Sequence, residues 1–389
     1  MPRVTVEEHF SKYTGNNRIK HEILTRYLRG YTQALSKHAG GFHYIDGFAG
    51  SGSYAGEAGS PIRALQVLAE RSQPFSMSLV EDDQKTAEAL RNALSSEERP
   101  KHLFDDPLIE VGEFSNHLQK ILSRRIYSAH QNVATFAFLD PCRASGYGAK
   151  EIQAILQKPY GECLIFWNYD GVNRWLGAVS SNHSSGQGLS HMFGTQDSLN
   201  KALEISCSSR NPSEKEHELL AHFIESVRQY SGATFLIPFR FTSDTTNRTS
   251  HYLVHCSKDA LAFKIMKDVM GSLRSNSDPG QFSFLGQSDL GDQLSMFVPE
   301  ASDTARKAIK SELAKGRRMV RIFSDEWIQR PKDLFRPKDY KDILREMERD
   351  GDIAVLGKDG ITPTPADKRR KIKGIPSLAD ELYIQLRRS

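Results

Sequence analysis

The chain has 389 residues, 38% hydrophobic and 26% charged, with a net charge of +4. That length allows two or three domains and a sizeable core, and the balance is that of an ordinary soluble globular protein. It excludes a helical membrane protein, since no stretch approaches the roughly 18–20 apolar residues of a span.

The N-terminus, MPRVTVEEHFSKYTG, lacks the apolar core of a signal peptide, so a cytoplasmic location is the expectation. The four cysteines, Cys142, Cys163, Cys207 and Cys256, are too far apart for a CxxC pair. Free thiols and no metal site are expected, with Cys142 placed closest to the chemistry below.

The first element is an amphipathic helix. Ile23, Leu24, Tyr27, Leu28, Tyr31 and Leu35 recur at helical spacing, and Gly40-Gly41 stops the run. Lys20 and His21 open it. An apolar strand then ends at Asp46 and enters a glycine-rich turn. Ser60-Pro61 reads as a cap followed by a first-turn proline. Strands FSMSLVEDD, LIEVGEF, ATFAFLDP and ECLIFWNYDG follow, alternating with helices of roughly 10–15 residues. This rhythm predicts an α/β fold with a doubly wound, mostly parallel sheet covered on both faces. Residues 175–230 change character. Their Ser-, Gly- and Asn-rich start reads as an insertion loop, and Ser213 with Glu216 as the capping box of a following helix. ATFLIPFRFT and SHYLVHCSK predict a terminal antiparallel hairpin, then a helix and a polar link over 272–293. This first domain is placed at 1–300.

Residues 301–389 hold 22 Lys and Arg against 15 Asp and Glu, a net of +7, which leaves −3 for the first 300. A basic tail on a near-neutral body fits an electrostatic footprint for a polyanion, or else a solubilising face. Its order of helix, helix and hairpin predicts a small winged-helix-like module. The helix opening at Pro337 is the candidate recognition helix and the Lys358-Asp359-Gly360 turn the wing. Arg317, Arg318, Arg321 and the KRRK run at 368–371 are the candidate phosphate contacts for DNA or RNA.

The chemistry centres on Asp46-Gly47-Phe48-Ala49-Gly50-Ser51-Gly52. Glycines after a strand let the backbone turn sharply and approach a ligand. One βαβ unit later Glu81 ends a strand, where an acid accepts hydrogen bonds from ribose hydroxyls. Asp46, Phe48, Gly50, Gly52 and Glu81 thus describe a site for an adenosine-containing cofactor. The loop is D-x-F-x-G-x-G rather than G-x-G-x-x-G, with nothing set to hold a pyrophosphate, which favours S-adenosylmethionine over NAD. Glu113 faces either the adenine edge or solvent. Asp140-Pro141, ending the next strand, either orients or deprotonates an amine or hydroxyl acceptor, or starts a turn. Asn168, Asn173 and Arg174 lie beyond the fifth strand, where loops line the ligand crevice. Trp167 and Trp175 are read as packing.

IKHEILTRYL, YIDGFAGSGSY, GSPIRAL, FAFLDP and HYLVHCSK, in that order, resemble the three-Cys-motif partner (TcmP) family over roughly residues 10–270. The resemblance implies a class-I methyltransferase fold, with the acceptor meeting the methyl group at the end of strand four, and a separate three-Cys-motif protein as partner. Amino-directed nucleic-acid methyltransferases carry [Asp/Asn]-Pro-Pro-aromatic at that position. This chain has Asp140-Pro141-Cys142-Arg143, without the second proline and the stacking ring, which Tyr147 is the candidate to supply. Two functions stand open: a methyltransferase acting on nucleic acid, and a non-catalytic subunit of the same fold that binds nucleic acid or the partner.

Overall fold

The computed structural model describes residues 15–54, 56–141, 146–181, 186–208, 210–243, 248–274, 283–284 and 299–387. They belong to two compact units, residues 1–273 with 283–287, and residues 274–282 with 288–389.

The first unit opens with α1 (Gly15–Ala34), whose buried face is Ile23, Leu24, Tyr27, Leu28 and Tyr31. Burying each such side chain contributes about 1.5–3 kcal/mol. α1 ends at Ala34, ahead of the Gly40-Gly41 pair, and the approach to β1 (Gly41–Asp46) needs glycine for contact: a Cβ on Gly40 would stand 2.3 Å from the Gln131 carbonyl oxygen. Then come α2 (Ser60–Ala69), β2 (Phe75–Glu81), α3 (Gln84–Ser95), β3 (Leu108–Val111), α4 (Phe114–Leu122), β4 (Val133–Leu139), α5 (Ala149–Leu156) and β5 (Glu162–Trp167). Gly59 takes the cap position of α2, so Ser60 is the first helical residue, beside Pro61.

Residues 175–230 are largely helical rather than an insertion loop. They hold the second half of α6 (Tyr169–Ser180), then α7 (Gln187–Phe193), α8 (Gln196–Cys207) and α9 (Pro212–Ser231). Their periodic apolar residues Leu176, Leu189, Phe193, Leu199, Leu219 and Phe223 join the main core. The capping box read at Ser213 is replaced by Asn211, whose side chain accepts the Glu214 N–H at 2.9 Å. β6 (Phe235–Thr242), β7 (Thr249–Ser257) and α10 (Ala260–Leu273) complete the run, and β8 (Ser283–Phe284) adds a short parallel edge strand beside β6. Within the 272–293 link, residues 275–282 and 285–293 lie outside the described residues.

The strand order is β3-β2-β1-β4-β5-β7-β6, then β8. Strands β1 to β5 pair in parallel, and β7 runs antiparallel between β5 and β6. This is the class-I methyltransferase sheet. β1, β4 and most of β2 are fully buried, as expected of parallel strands covered on both faces. The order reverses between β1 and β4, which makes the edge above their carboxyl ends the ligand crevice.

The second unit has its own core of Ile309, Leu313, Phe323, Trp327, Ile343, Leu344, Met347, Ile353 and Ile384, among others. Its elements are α11 (Pro299–Ala314), β9 (Arg318–Met319), two irregular helical turns over 322–329, α12 (Pro337–Arg349), β10 (Ile353–Leu356) and β11 (Tyr383–Leu386), with sheet order β9-β11-β10. The partner strand of Ile353–Leu356 is the YIQL segment near the chain end. The ITPTP segment contributes only a single bridge, between Pro363 and Leu356.

Candidate functional site

The glycine loop is lashed over the crevice by backbone bonds from Gly47 N–H to the Phe138 carbonyl (3.0 Å) and from Ala49 N–H to the Val80 carbonyl (2.8 Å). Gly50 and Gly52 have φ of 62° and 79°, the left-handed region that disfavours other residues. Asp46 is sealed beneath the loop. Its carboxylate accepts the Tyr44 hydroxyl (3.0 Å) and the Phe48 N–H (3.2 Å). Burial pushes its pKa up to about 6, against the hydrogen bonds it receives. Asp46 therefore shapes the loop from below. Phe48 packs on Phe114, ring centroids 6.1 Å apart.

Glu81 reaches across from β2, and its Oε2 accepts the Gly50 N–H at 2.8 Å. Its Oε1 accepts from Asp83 N–H at 3.2 Å. A carboxylate offers about four lone-pair sites, so acceptor capacity is left for a diol. Burial first, then the neighbouring Asp82, pushes the Glu81 pKa up to about 7. Glu113 stands exposed where β3 passes into α4.

Asp140 follows β4 and is held by Lys20 of α1, Nζ to Oδ2 2.5 Å, with side chains 10% and 16% exposed. The same ammonium lies 4.8 Å from the centroid of Phe166 on β5, and Phe166 in turn lies 4.4 Å from the His251 ring on β7. Pro141 is buried, and Cys142 and Arg143 lie outside the described residues. Tyr147 is 3% exposed and its hydroxyl donates to the Phe166 carbonyl, 2.8 Å. It is thus a core residue and not a ring offered to an acceptor. His21 is buried against Tyr54, and burial with the nearby Lys20 and Arg63 charges lowers its pKa to about 3.

The residues beyond β5 are drawn into helix α6. Asn168 is its cap, accepting the Gly171 N–H at 2.9 Å. Asn173 and Arg174 lie on its exposed face, Arg174 paired with Asp170 at 3.1 Å. Trp167 is a core residue stacked on Phe223 at 4.5 Å, and Trp175 packs half-buried against the same core. The ion pair that holds Asp140 was legible only as a basic opening to α1. His251 carried no signal in the linear pattern beyond its place on an apolar strand.

In the second unit several basic residues are tied to their own fold. Arg317 donates to the Gly360 carbonyl at 2.6 Å, Arg318 to Glu312 at 2.8 Å, and Arg321 stands exposed 3.9 Å from Glu326. Within the KRRK run, Arg369 is buried against Glu348. Lys368, Arg370, Lys371 and Lys373 are exposed, on and beside a hairpin that pairs Lys371–Ile372 with Ile375–Pro376. Ile372 and Ile375 are exposed at its tip. Among the described residues no three His, Cys, Asp or Glu side chains gather to hold a metal ion, and no helix is long and apolar enough to cross a membrane.

No protein-family model and no curated protein matches the chain. Among solved structures, a Legionella pneumophila protein of the DUF519 family is similar at 14% identity, over 66% of this chain and 90% of that one, with a TM-score of 0.40. Human methyltransferase-like protein 13, in complex with SAH, aligns at 9% identity over 67% and 93%, TM-score 0.33. An O-methyltransferase from Bacillus cereus, also in complex with SAH, aligns at 11% identity over 60% and 80%, TM-score 0.31. The fold assignment rests on the strand order and not on these likenesses.

Proposed function

We infer that the N-terminal unit binds S-adenosylmethionine and transfers its methyl group to an acceptor at Asp140, on a nucleic acid held in part by the C-terminal unit. The observation that carries the reading is the glycine loop pinned to Glu81 at the point where the strand order reverses. Ribose hydroxyls would donate to the remaining Glu81 lone pairs, the loop backbone around Gly50 would meet the methionine part, and Glu113 is the candidate for the adenine edge. The bound cofactor would supply an electrophilic methyl group. The resemblance to the TcmP family supports the same reading and adds a three-Cys-motif protein as the proposed partner.

Calorimetry with S-adenosylhomocysteine and with NAD tests it: tight NAD binding with no S-adenosylhomocysteine binding overturns the assignment. Glu81→Ala should weaken binding by about 1.5–3 kcal/mol, the range for a charge-assisted hydrogen bond. Affinity should rise with pH through about 7, because a protonated Glu81 gives up an acceptor site. In Glu81→Gln that pH dependence should vanish. A persistent pH dependence would assign it to another group.

A non-catalytic subunit is the second reading, favoured by the Lys20 ammonium that already occupies Asp140. It holds if cofactor and nucleic acid both bind yet no acceptor is methylated.

The order α11, β9, helical turns, α12, β10, β11 supports a winged-helix reading of the C-terminal unit, with α12 as the recognition helix. The wing then includes the exposed basic hairpin at 371–376 as well as the Lys358-Asp359-Gly360 turn. Reversing Lys371 and Lys373 to Glu should weaken binding to all sequences alike and reduce the salt slope by about 1–2, as for two lost phosphate contacts. A gel-shift titration across salt concentrations measures this. An unchanged slope would remove the hairpin from the interface.

A further inference from the structure

We propose that His251, Lys20, Asp140 and Phe166 form the acceptor subsite of the N-terminal unit, where His251 Nε2 receives the N–H or O–H hydrogen of the group to be methylated. This rests on the reading of the glycine loop as an S-adenosylmethionine site.

Because β7 runs antiparallel, its first residues stand at the same edge of the sheet as the last residues of β4 and β5. The register puts Trp167 of β5 opposite Tyr252, one residue past His251. The His251 ring lies between Phe166 and Phe241, with centroids 4.4 and 4.5 Å away. Lys20 completes the chain of contacts, over Phe166 on one side and bonded to Asp140 on the other. Four side chains from α1, β5, β7 and the end of β4 are thus contiguous beside the crevice.

We take the Nδ1–H tautomer of His251, which the hydrogen bonds around Ser250 accommodate. The Ser250 hydroxyl donates to the Phe241 carbonyl at 3.1 Å. Its one hydrogen is then used, so at 2.8 Å Ser250 Oγ accepts from His251 Nδ1. In that tautomer the ring proton sits on Nδ1, and Nε2 keeps a lone pair. His251 is 8% exposed and Nε2 has no hydrogen-bond partner. Burial, and then the Lys20 charge, holds its pKa well below the usual value, so the ring is neutral at pH 7. Asn16, one turn before Lys20 on α1, adds a second buried acceptor without a partner at Oδ1, while its Nδ2 donates to the Thr242 carbonyl at 2.9 Å. Buried acceptors left without donors are costly. Two of them on neighbouring elements fit a ligand that brings N–H or O–H groups, an amine above all.

As the acceptor nitrogen or oxygen bonds to the methyl carbon and the carbon–sulfur bond breaks toward sulfur, the acceptor's proton passes to His251 Nε2. Lys20 is a positioning residue: its ammonium lies over the Phe166 ring and holds the Asp140 carboxylate by the ion pair.

Calorimetry on the full chain with two probes tests this. S-adenosylhomocysteine lacks the methyl group; sinefungin carries a primary amine in its place, directed at the acceptor side. The wild type should prefer sinefungin by about tenfold, the worth of one hydrogen bond. His251→Asn keeps a donor for Ser250 but lacks Nε2, and should abolish the preference with S-adenosylhomocysteine affinity unchanged. His251→Gln returns an acceptor at the ε position and should restore it. No preference in the wild type, or a preference that survives His251→Asn, overturns the proposal. Loss of S-adenosylhomocysteine binding in His251→Asn makes the ring structural and overturns it as well. Failure of both probes to bind the wild type overturns the underlying cofactor reading instead.

Discussion

Arg369→Met should destabilise the C-terminal unit by about 3–5 kcal/mol, the range for breaking a buried ion pair by removing one partner. The pair is nearly sealed, with side chains 3% and 10% exposed. Arg369 also donates Nη1 to the Ser377 carbonyl at 3.2 Å. It thereby pins the long connection between β10 and β11 onto α12, where Glu348 sits. Methionine fills much of the volume but leaves the Glu348 carboxylate without its cation. Whole domains are stable by only about 5–15 kcal/mol, so the loss would be a large share of the unit's stability. Hydrogen exchange of the α12 and β11 amides reports it directly. The double variant Arg369→Met with Glu348→Leu should regain most of the loss, since the desolvated charge is removed with its partner. A loss below about 1 kcal/mol would place the pair in the class of exposed bridges and contradict its burial.

That expectation also separates two roles within one basic run. The sequence Lys368-Arg369-Arg370-Lys371 reads as four equivalent phosphate contacts, yet Arg369 points into the unit while its neighbours stay exposed. Linear charge density cannot distinguish them, because which side chain turns inward depends on where Glu348 stands on a helix some twenty residues earlier. Arg317 and Arg318 were hidden for the same reason: their partners, Gly360 and Glu312, become neighbours only after folding. The alternating YIQL segment closes the sheet from beyond a long connection, so nearness in sequence does not point to it, and the nearer ITPTP segment supplies only a single bridge.

In the N-terminal unit the legible features share a cause. Asp46, the glycine loop, Glu81 and Asp140 all mark the ends of buried parallel strands, and such strands show as apolar runs that stop abruptly. The mostly parallel sheet and its terminal antiparallel hairpin follow from those runs, whereas the strand order does not. Lys20 and His251 belong to the same crevice but reach it by other routes, one from a preceding helix and one from the start of the antiparallel strand. No local spacing joins residues 20, 140, 166 and 251. The helices of 175–230 were obscured by Ser and Gly near their start, which weaken helix propensity but are overridden once the apolar face packs on the core.

Lys20→Met should destabilise the N-terminal unit by about 3 kcal/mol, the low end for breaking a buried pair, because Asp140 keeps some contact with water. Asp140→Asn should cost less. The lysine left behind has a long stem that can carry its ammonium toward solvent, and it retains the face of Phe166. The short aspartate left by Lys20→Met has no such escape. The double variant should then fall short of the summed losses by about 1–3 kcal/mol, the coupling expected of a contacting pair. Urea unfolding of the four proteins gives this cycle, and additivity within about 0.3–0.5 kcal/mol would mean the two groups do not interact in solution. The same variants separate stability from function. Asp140→Asn should retain S-adenosylhomocysteine affinity, since the Gly50–Glu81 contact lies on the β1–β2 side of the crevice. It should lose methyl transfer if Asp140 orients the acceptor, and unchanged turnover in a folded Asp140→Asn protein would take Asp140 out of the mechanism.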